Sequence, residues 1–263
     1  RALVQRTRIA RLLAGWRDVP AADSAAIEQV LLALSQLLAE EPRIAELDIN
    51  PLLADADGVI ALDARVRVSA KGQGGAARFA IRPYPQELVE RLAWLRQGQQ
   101  HELTLRPIRP EDEAQHLSFL ERIEPADIRM RLFYTRRSIE RSELARLTQI
   151  DYEREMAFIA TAPMADGGEE TLGVVRAMVD PDNVEAEFGI LIRSDMKGAG
   201  LGRRLMQKLI AFLRGRGTQR LVATVLAENV PMLHLAGQLG FAQPEEQSEP
   251  NTRRIELNLS APR

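Results

Sequence analysis

The chain contains no cysteine, so disulfides and Cys-based zinc sites are excluded, and a reducing cytoplasm is the expected setting. Its three histidines, His101, His116 and His234, are scattered without metal-ligand spacing, and no metal centre is expected. No apolar run approaches the roughly 20 residues of a membrane-spanning helix, and no signal peptide is visible, so no membrane partner is expected. Charge of one sign is also lacking: 35 Lys and Arg stand against 37 Asp and Glu, a net charge of −2. That balance creates no global field favouring nucleic acid. Arg1, Arg6, Arg8 and Arg11 make the start locally basic, but Leu3, Val4, Ile9, Leu12 and Leu13 interleave with them, the pattern of a solvated helix face. The 263 residues suffice for one large domain or two ordinary ones. The chain starts at Arg1, mid-helix and without Met, which suggests a fragment of something longer.

What is present reads as two regions. Ile27, Val30, Leu31, Leu34, Leu37 and Leu38 recur at helical spacing behind the cap Asp23, and Glu41-Pro42 stops that helix. Strands are expected over Arg43–Ile49 and Gly58–Val68, joined through Asn50-Pro51 and the turn at 55–58. The Gly- and Ser-containing stretch 69–75 has linker composition. A short helix over Gln86–Leu95 follows, with a second boundary at Gln97-Gly98. From His101 the order is strand (Leu103–Ile108), helices (Glu111–Ile123 and Ser138–Thr148), then strands at Met156–Thr161, Thr171–Val179 and Val184–Ile192. Those last three look like consecutive hairpins, so a largely antiparallel sheet is expected. Helix Leu201–Leu213, strand Arg220–Val225, a second helix closing at Leu239-Gly240-Phe241 and a strand at Arg253–Leu259 complete the chain.

The most informative segment is Lys197-Gly198-Ala199-Gly200-Leu201-Gly202-Arg203, between an apolar strand and an amphipathic helix. A glycine-rich turn there aims several backbone N–H groups at one point on the positive end of a helix dipole, which makes an anion site, usually one for phosphate. A dinucleotide fingerprint from Gly198 and Gly200 would need glycine at Arg203, although Glu228 ends the next strand where a ribose-binding acid would sit. A Walker loop would need Gly-Lys-Ser/Thr, which is absent. A plain glycine-rich turn is the remaining alternative.

The segment fits the acyl-CoA loop of the GNAT acetyltransferases, Gln/Arg-x-x-Gly-x-Gly/Ala, with Lys197 in the place of Gln or Arg. Asn229 and Leu239-Gly240-Phe241 stand at the interval found at the two ends of the last GNAT helix, so residues from about His101 to Leu259 resemble a complete GNAT domain. Many members carry a Tyr within that helix as general acid toward the leaving thiolate, whereas this chain has Ala236. The resemblance implies acetyl-CoA as cosubstrate. Gly198, Gly200, Gly202 and Arg203 would bind its pyrophosphate through backbone N–H groups, with Lys197 adding charge. Ile190 and Ile192 would pair their backbone with the pantetheine arm, and Asn229 would contact the same arm. A backbone N–H at the end of that strand would act as an oxyanion-type donor.

Glu46 to Leu53 followed by Gly58 to Arg65 resembles the C-terminal end of the ATP-grasp module of ADP-forming acyl-CoA synthetases, over about residues 1–68. Asn50 and Asp63 match the magnesium-holding Asn and Asp of that family. The rest of the synthetase is absent from the chain, so these two are expected to serve turn and strand geometry, and synthetase activity is not expected. The combination looks like the C-terminal portion of the large bacterial protein lysine acetyltransferases that modify metabolic enzymes. The expected architecture is therefore α/β (α+β): an ATP-grasp fragment over 1–68, a linker and short helix over 69–100, and a GNAT fold with a mostly antiparallel sheet over 101–263. An ATP-grasp tail alone would expose apolar surface, which points to homo-oligomers.

Acetyl transfer to an amine needs a base, a polarised thioester carbonyl and positioning of both. Glu185 and Glu187 project from one face of their strand. Glu187 is nearer the loop and matches the glutamate base of the lysine acetyltransferases, and partial burial is expected to raise its pKa. Asp151, Glu153 and Glu155 form a second acidic cluster, read as a solvated loop or a surface for basic substrates. The leading expectation is acetyl transfer to lysines of protein substrates. A small-molecule amine acceptor, or a non-catalytic acyl-CoA-binding regulatory module, are the alternatives.

Overall fold

The computed structural model describes residues 2–69, 82–96, 99–133, 139–164, 167–244 and 251–260. The chain divides into two compact units, Arg1–Pro83 and Tyr84–Arg263. Most of the glycine-containing stretch 69–75 and the Gln97-Gly98 boundary lie outside the described residues.

The first unit holds helices α1 (Ala2–Gln5), α2 (Ala10–Leu13) and α3 (Ser24–Glu40) and strands β1 (Ile44–Ile49), β2 (Leu52–Asp55), β3 (Gly58–Ala61) and β4 (Ala64–Val68). The helix at Ser24 starts where the cap predicts: an Asp23 side-chain oxygen accepts from the N–H groups of Ala25 and Ala26 at 2.9 and 3.0 Å. The expected single strand over Gly58–Val68 is instead two. Its first half folds back on β2 as a hairpin and its second half pairs with β1. The reason is the turn chemistry at Asp55, whose carboxylate takes the N–H groups of Asp57 and Gly58 and closes a tight hairpin. Asn50 N–H donates to the Asp63 carbonyl, and the Asp63 carboxylate faces Arg65 at 3.4 Å, so both residues hold strand geometry. Ile44 is the one apolar side chain fully buried among the described residues of this unit, while Leu31, Leu32, Leu53, Ile60 and Val68 are exposed.

The second unit is built on a seven-stranded sheet: β5 (Glu90–Arg96), β6 (Gln99–Pro107), β7 (Glu155–Pro163), β8 (Glu169–Val179), β9 (Glu185–Ile192), β10 (Arg220–Leu226) and β11 (Thr252–Asn258), each beside its chain neighbour. Five of the six pairings are antiparallel, as the hairpin pattern predicts, and β9–β10 alone is parallel. A parallel pair needs a long crossover, supplied by α7 (Leu201–Gly215). The remaining helices are α4 (Glu113–Glu121), α5 (Pro125–Leu132), α6 (Arg141–Thr148) and α8 (Val230–Gln238). Two readings need correction. The helix expected over Gln86–Leu95 is a single 3-10 turn (Gln86–Leu88) followed by edge strand β5, whose residues pair in register with β6. Helix α5 falls in a gap between the expected helices, although Pro125 in its first turn is a helix-start signal.

The amphipathic period of α7 decides what it covers. Leu201, Leu205, Met206, Leu209 and Leu213 are all buried, packed in a core with Phe158, Ile159 and Leu172 of the sheet. Each such side chain contributes about 1.5–3 kcal/mol of burial. A buried ion pair sits under the first turn before α4. Both Arg106 Nη groups donate to Asp112 at 2.7 Å, with 4% and 3% of the two residues exposed. Burial disfavours the guanidinium charge, but the hydrogen bonds and charge of Asp112, with help from Glu169, outweigh it and raise the Arg106 pKa.

His116 of α4 is buried, and its Nδ1 has no hydrogen-bond partner among the described residues. Burial, assisted by the charge of Arg176 and opposed by Asp112, pushes its pKa down to about 4 from an ordinary 6.5. A histidine depressed in the folded state stabilises fully above its unfolded pKa, and that stability is lost as pH falls from 6.5 through 4. The loss should be on the order of 3 kcal/mol below that window. Tm measured against pH should therefore fall more steeply for the natural chain than for His116→Leu. Parallel curves would contradict a buried neutral imidazole.

Candidate active site

The site lies where the one parallel pair comes apart. β9 pairs with β10 only at Glu185–Arg220, Ala186–Leu221 and Glu187–Val222, while it stays paired with β8 along its length to Ile192. Beyond Glu187 the two strands separate, and the β10-facing backbone of 188–192 has no strand opposite it. A cleft at the carboxyl ends of parallel strands is the common ligand position in α/β sheets. A cavity of about 820 Å³ occupies this one, lined by Phe188–Ile192, the glycine loop, α5, the end of β10 and α8.

The glycine turn closes one end. Gly198 and Gly200 have φ of +73° and +78°, which side-chain-bearing residues rarely adopt. Gly200 is the N-cap of α7, so the N–H groups of the helix's first turn point into the cavity end with the helix dipole behind them. Trp94 of β5 supports the turn by donating its indole N–H to the Ala199 carbonyl at 2.9 Å. The segment expected as linker and short helix thus supplies a strand and a brace.

All eight residues expected to bind the cosubstrate line this one cavity: Ile190, Ile192, Lys197, Gly198, Gly200, Gly202, Arg203 and Asn229. Three have additional contacts. Lys197 pairs with Asp127 of α5, which also accepts from Ser194 Oγ at 2.7 Å. Asn229 caps α8, its Oδ1 accepting the Met232 N–H at 3.2 Å. Arg203 reaches Gln238 at 3.5 Å.

The two candidate bases separate clearly. Glu185 is engaged by Arg254 at 3.1 Å and Arg220 at 3.3 Å. Glu187 has no hydrogen bond or ion pair with any described residue, and it stands at the point where β9 and β10 part. It is exposed, so the partial burial expected of it is not found. The side chains flanking it, Ala186 and Phe188, are the ones turned into the core. The second acidic cluster is used internally: Glu153 meets Arg216 at 3.1 Å, and Glu155 pairs with Arg176. Ala236 is buried in the core.

Sequence reasoning missed α5. Asp127 and Arg131, one helical turn apart, both line the cavity. Arg129 on the same helix ties to Glu228 at the end of β10 at 2.6 Å. The Arg131 guanidinium lies so close over Gly189 that a Cβ at 189 would overlap it. Burial lowers the Arg131 pKa, opposed by the nearby charge of Glu187 and assisted by Arg176.

The chain has counterparts among known proteins. A family model described as the acetyltransferase (GNAT) family matches residues 124–241, and one described as an ATP-grasp domain matches residues 1–68. Acetyltransferase PA5475 of Pseudomonas aeruginosa is 31% identical over 137 residues, which is 52% of this chain and 73% of that protein. The chain belongs to the GNAT acetyltransferase family. A mycothiol acetyltransferase from Nocardioides sp. is 27% identical over 128 residues, 44% of this chain and 43% of that protein, so less than half of that relative is spanned. Among solved structures, the GNAT domain of S. lividans PAT superposes with a TM-score of 0.58 at 24% identity, covering 66% of this chain and 99% of that one, which shows the fold. The expected architecture holds: a GNAT domain with a mostly antiparallel sheet, preceded by an ATP-grasp fragment. GNAT enzymes are N-acetyltransferases that use an acyl-CoA cosubstrate. No helix among the described residues is long and apolar enough to cross a membrane.

The cavity suits such a molecule on its own chemistry. It offers unpaired N–H groups for a pyrophosphate at one end and an open strand edge for an amide-bearing arm in the middle. Gly200→Val tests the anion end. A Cβ there would meet nothing within 4 Å, so the penalty is the left-handed backbone, about 1–2 kcal/mol. CoA affinity, measured by calorimetry, should fall at least about tenfold as the turn re-forms around the β-branched residue. A variant that binds CoA as the natural chain does would remove the turn from the binding site.

Proposed function

We propose that this chain transfers acetyl from acetyl-CoA to lysine side chains of protein substrates, with Glu187 as general base. The observation that carries the reading is an exposed carboxylate without a hydrogen bond or ion pair among the described residues, at the fork of β9 and β10, one residue ahead of the stretch Phe188–Ile192 that lines the same cavity as the glycine turn. Gly198, Gly200, Gly202 and Arg203 hold the pyrophosphate through backbone N–H groups, and Ile190 and Ile192 offer the strand edge to the pantetheine arm. Glu187 takes a proton from the incoming ammonium, directly or through one water, and the free amine attacks the thioester carbonyl. A backbone N–H on the open edge of β9 polarises that carbonyl.

Two features favour a protein acceptor. Glu187 is exposed on the open face of the sheet, where a lysine projecting from another protein can reach it. The ATP-grasp segment ahead of the GNAT domain resembles the arrangement of bacterial lysine acetyltransferases that act on metabolic enzymes, and the fold likeness to the GNAT domain of S. lividans PAT agrees with it. A small-molecule amine acceptor is the second reading, and the similarity to a mycothiol acetyltransferase favours it. Self-association through the exposed apolar residues of 1–68 is part of the proposal, and a monomer on sizing would remove that part. The acceptor is tested by incubating the chain with acetyl-CoA and a panel of purified bacterial metabolic enzymes, with mass spectrometry as readout. Acetylated lysines that require both chain and acetyl-CoA are the expected result. Transfer to polyamines or aminosugars without transfer to any protein would overturn the lysine reading and keep the GNAT chemistry.

A further inference from the structure

Acetyl transfer leaves a thiolate behind, and a thiolate departing into a half-closed cavity needs positive charge or a proton within reach. Of the basic side chains lining the cavity, Lys197 and Arg203 belong to the glycine turn, and Lys197 is already paired with Asp127. His234 lies on α8, with Nε2 at 2.8 Å from Gln238. Arg131 differs from all three. It stands over Gly189, in the stretch where β9 has lost β10 as a neighbour, and two residues from the Glu187 fork. Among the described residues its guanidinium makes no hydrogen bond and no ion pair. Five donors are therefore uncommitted in a place where burial already disfavours the charge.

The placement is built into the fold from both sides. Helix α5 is held at one end by Asp127, which joins Lys197 and Ser194 of the turn, and further along by Arg129, which joins Glu228 just beyond β10. Arg131, one turn beyond Asp127, is thereby directed onto β9. On the strand side the residue beneath it is glycine, although β9 is extended there and any residue fits its backbone. Only the absence of a side chain at Gly189 lets the guanidinium lie against the strand.

We propose that Arg131 is a catalytic residue for the leaving group: its guanidinium receives the negative charge of the departing CoA thiolate. The proposal rests on the acyl-CoA reading of the cavity and not on the identity of the acceptor. In the step concerned, the amine, already relieved of its ammonium proton by Glu187, forms a bond from nitrogen to the thioester carbonyl carbon, and the second proton on that nitrogen passes to solvent. The carbon–sulfur bond then breaks, and its electron pair stays on sulfur. Arg131 donates hydrogen bonds to that sulfur without giving up a proton, and solvent protonates the thiolate after release. A delocalised, permanently charged donor suits this task at a site with no phenol at position 236.

The test compares CoA with desulfo-CoA, which lacks the sulfur, by calorimetry at a pH of about 9.5, above the ordinary thiol pKa of about 8.5. The natural chain should bind CoA about 10- to 100-fold more tightly than desulfo-CoA, the range for a hydrogen bond to a charged group. Arg131→Gln should abolish that preference while leaving desulfo-CoA affinity unchanged, and should lower kcat for transfer. Arg131→Lys should retain part of the preference. Gly189→Ala, which keeps the arginine but evicts its guanidinium, should lose it. An equal loss of both ligands in Arg131→Gln would assign the residue a structural role and overturn the proposal. So would an intact preference for CoA accompanied by a raised acceptor KM. If the natural chain binds neither ligand, the acyl-CoA reading itself falls and this proposal falls with it.

Discussion

Glu187→Gln is expected to reduce kcat for acetyl transfer by about 10²- to 10⁴-fold, the contribution of a positioned general base, with CoA affinity within about twofold of the natural chain. The substitution keeps the size of the side chain and removes only its ability to accept a proton. Its charge also acts on the nearby Arg131 guanidinium, but the carboxylate supports no hydrogen bond or ion pair among the described residues. Glu185→Gln makes the matched control. Its partners Arg254 and Arg220 are 29% and 47% exposed at the side chain, so losing those pairs should cost only about 0–1 kcal/mol of stability. Its kcat should stay within a few-fold. The comparison is read from initial rates with a single acceptor and from calorimetric CoA titrations. If Glu187→Gln retains full kcat, another group or bulk solvent takes the proton, and the base assignment is wrong. If it leaves a chain that binds acetyl-CoA and never transferred acetyl in its natural form either, the non-catalytic reading gains instead.

Asp112→Ala should destabilise the second unit by about 3–5 kcal/mol, the cost of leaving a buried charge without its partner. Asp112 accepts from both Nη atoms of Arg106 and from the Arg109 N–H at 2.9 Å, so one substitution removes three hydrogen bonds. Glu169 reaches Arg106 at 3.2 Å but is 41% exposed at the side chain, and it can compensate only in part. The double variant Arg106→Met/Asp112→Leu should recover much of the loss, since replacing a buried pair with apolar groups of similar volume is often neutral. Urea unfolding of the natural chain, the single variant and the double variant gives the comparison. A double variant no more stable than Asp112→Ala would mean that the site depends on the hydrogen bonds to Arg109 and the first turn of α4 rather than on charge pairing.

Much of the architecture was readable because its signals are local. The period of Leu201, Leu205, Leu209 and Leu213 specifies an amphipathic helix whatever surrounds it. Asp23 marks a helix start through bonds to residues two and three positions away. The readings that needed correction were those in which the deciding partner is distant in sequence. Residues 90–96 became a strand because β6 offers a register for every one of them from Glu90 to Arg96, a non-local reward that a short polar–apolar stretch does not reveal. Helix α5 is eight residues with mixed polarity, too short for its period to stand out, and only Pro125 announced it.

The same division runs through the candidate site. Types and spacings along the chain were enough to identify the glycine turn, the candidate base and the Asn229-to-Phe241 helix, because each of these works through its own backbone or its nearest neighbours. Which glutamate is free depended on the arginines that strands β10 and β11 bring beside Glu185. The exposure of Glu187, against the partial burial expected, follows from its place on the open face of the sheet. The cavity itself exists because β10 parts from β9 after three residues of pairing. The meeting of Arg131 with Gly189 joins positions 58 apart in the chain. Contacts of that kind depend on how helices and strands pack against one another, and packing is a property of the assembled core that no single segment encodes.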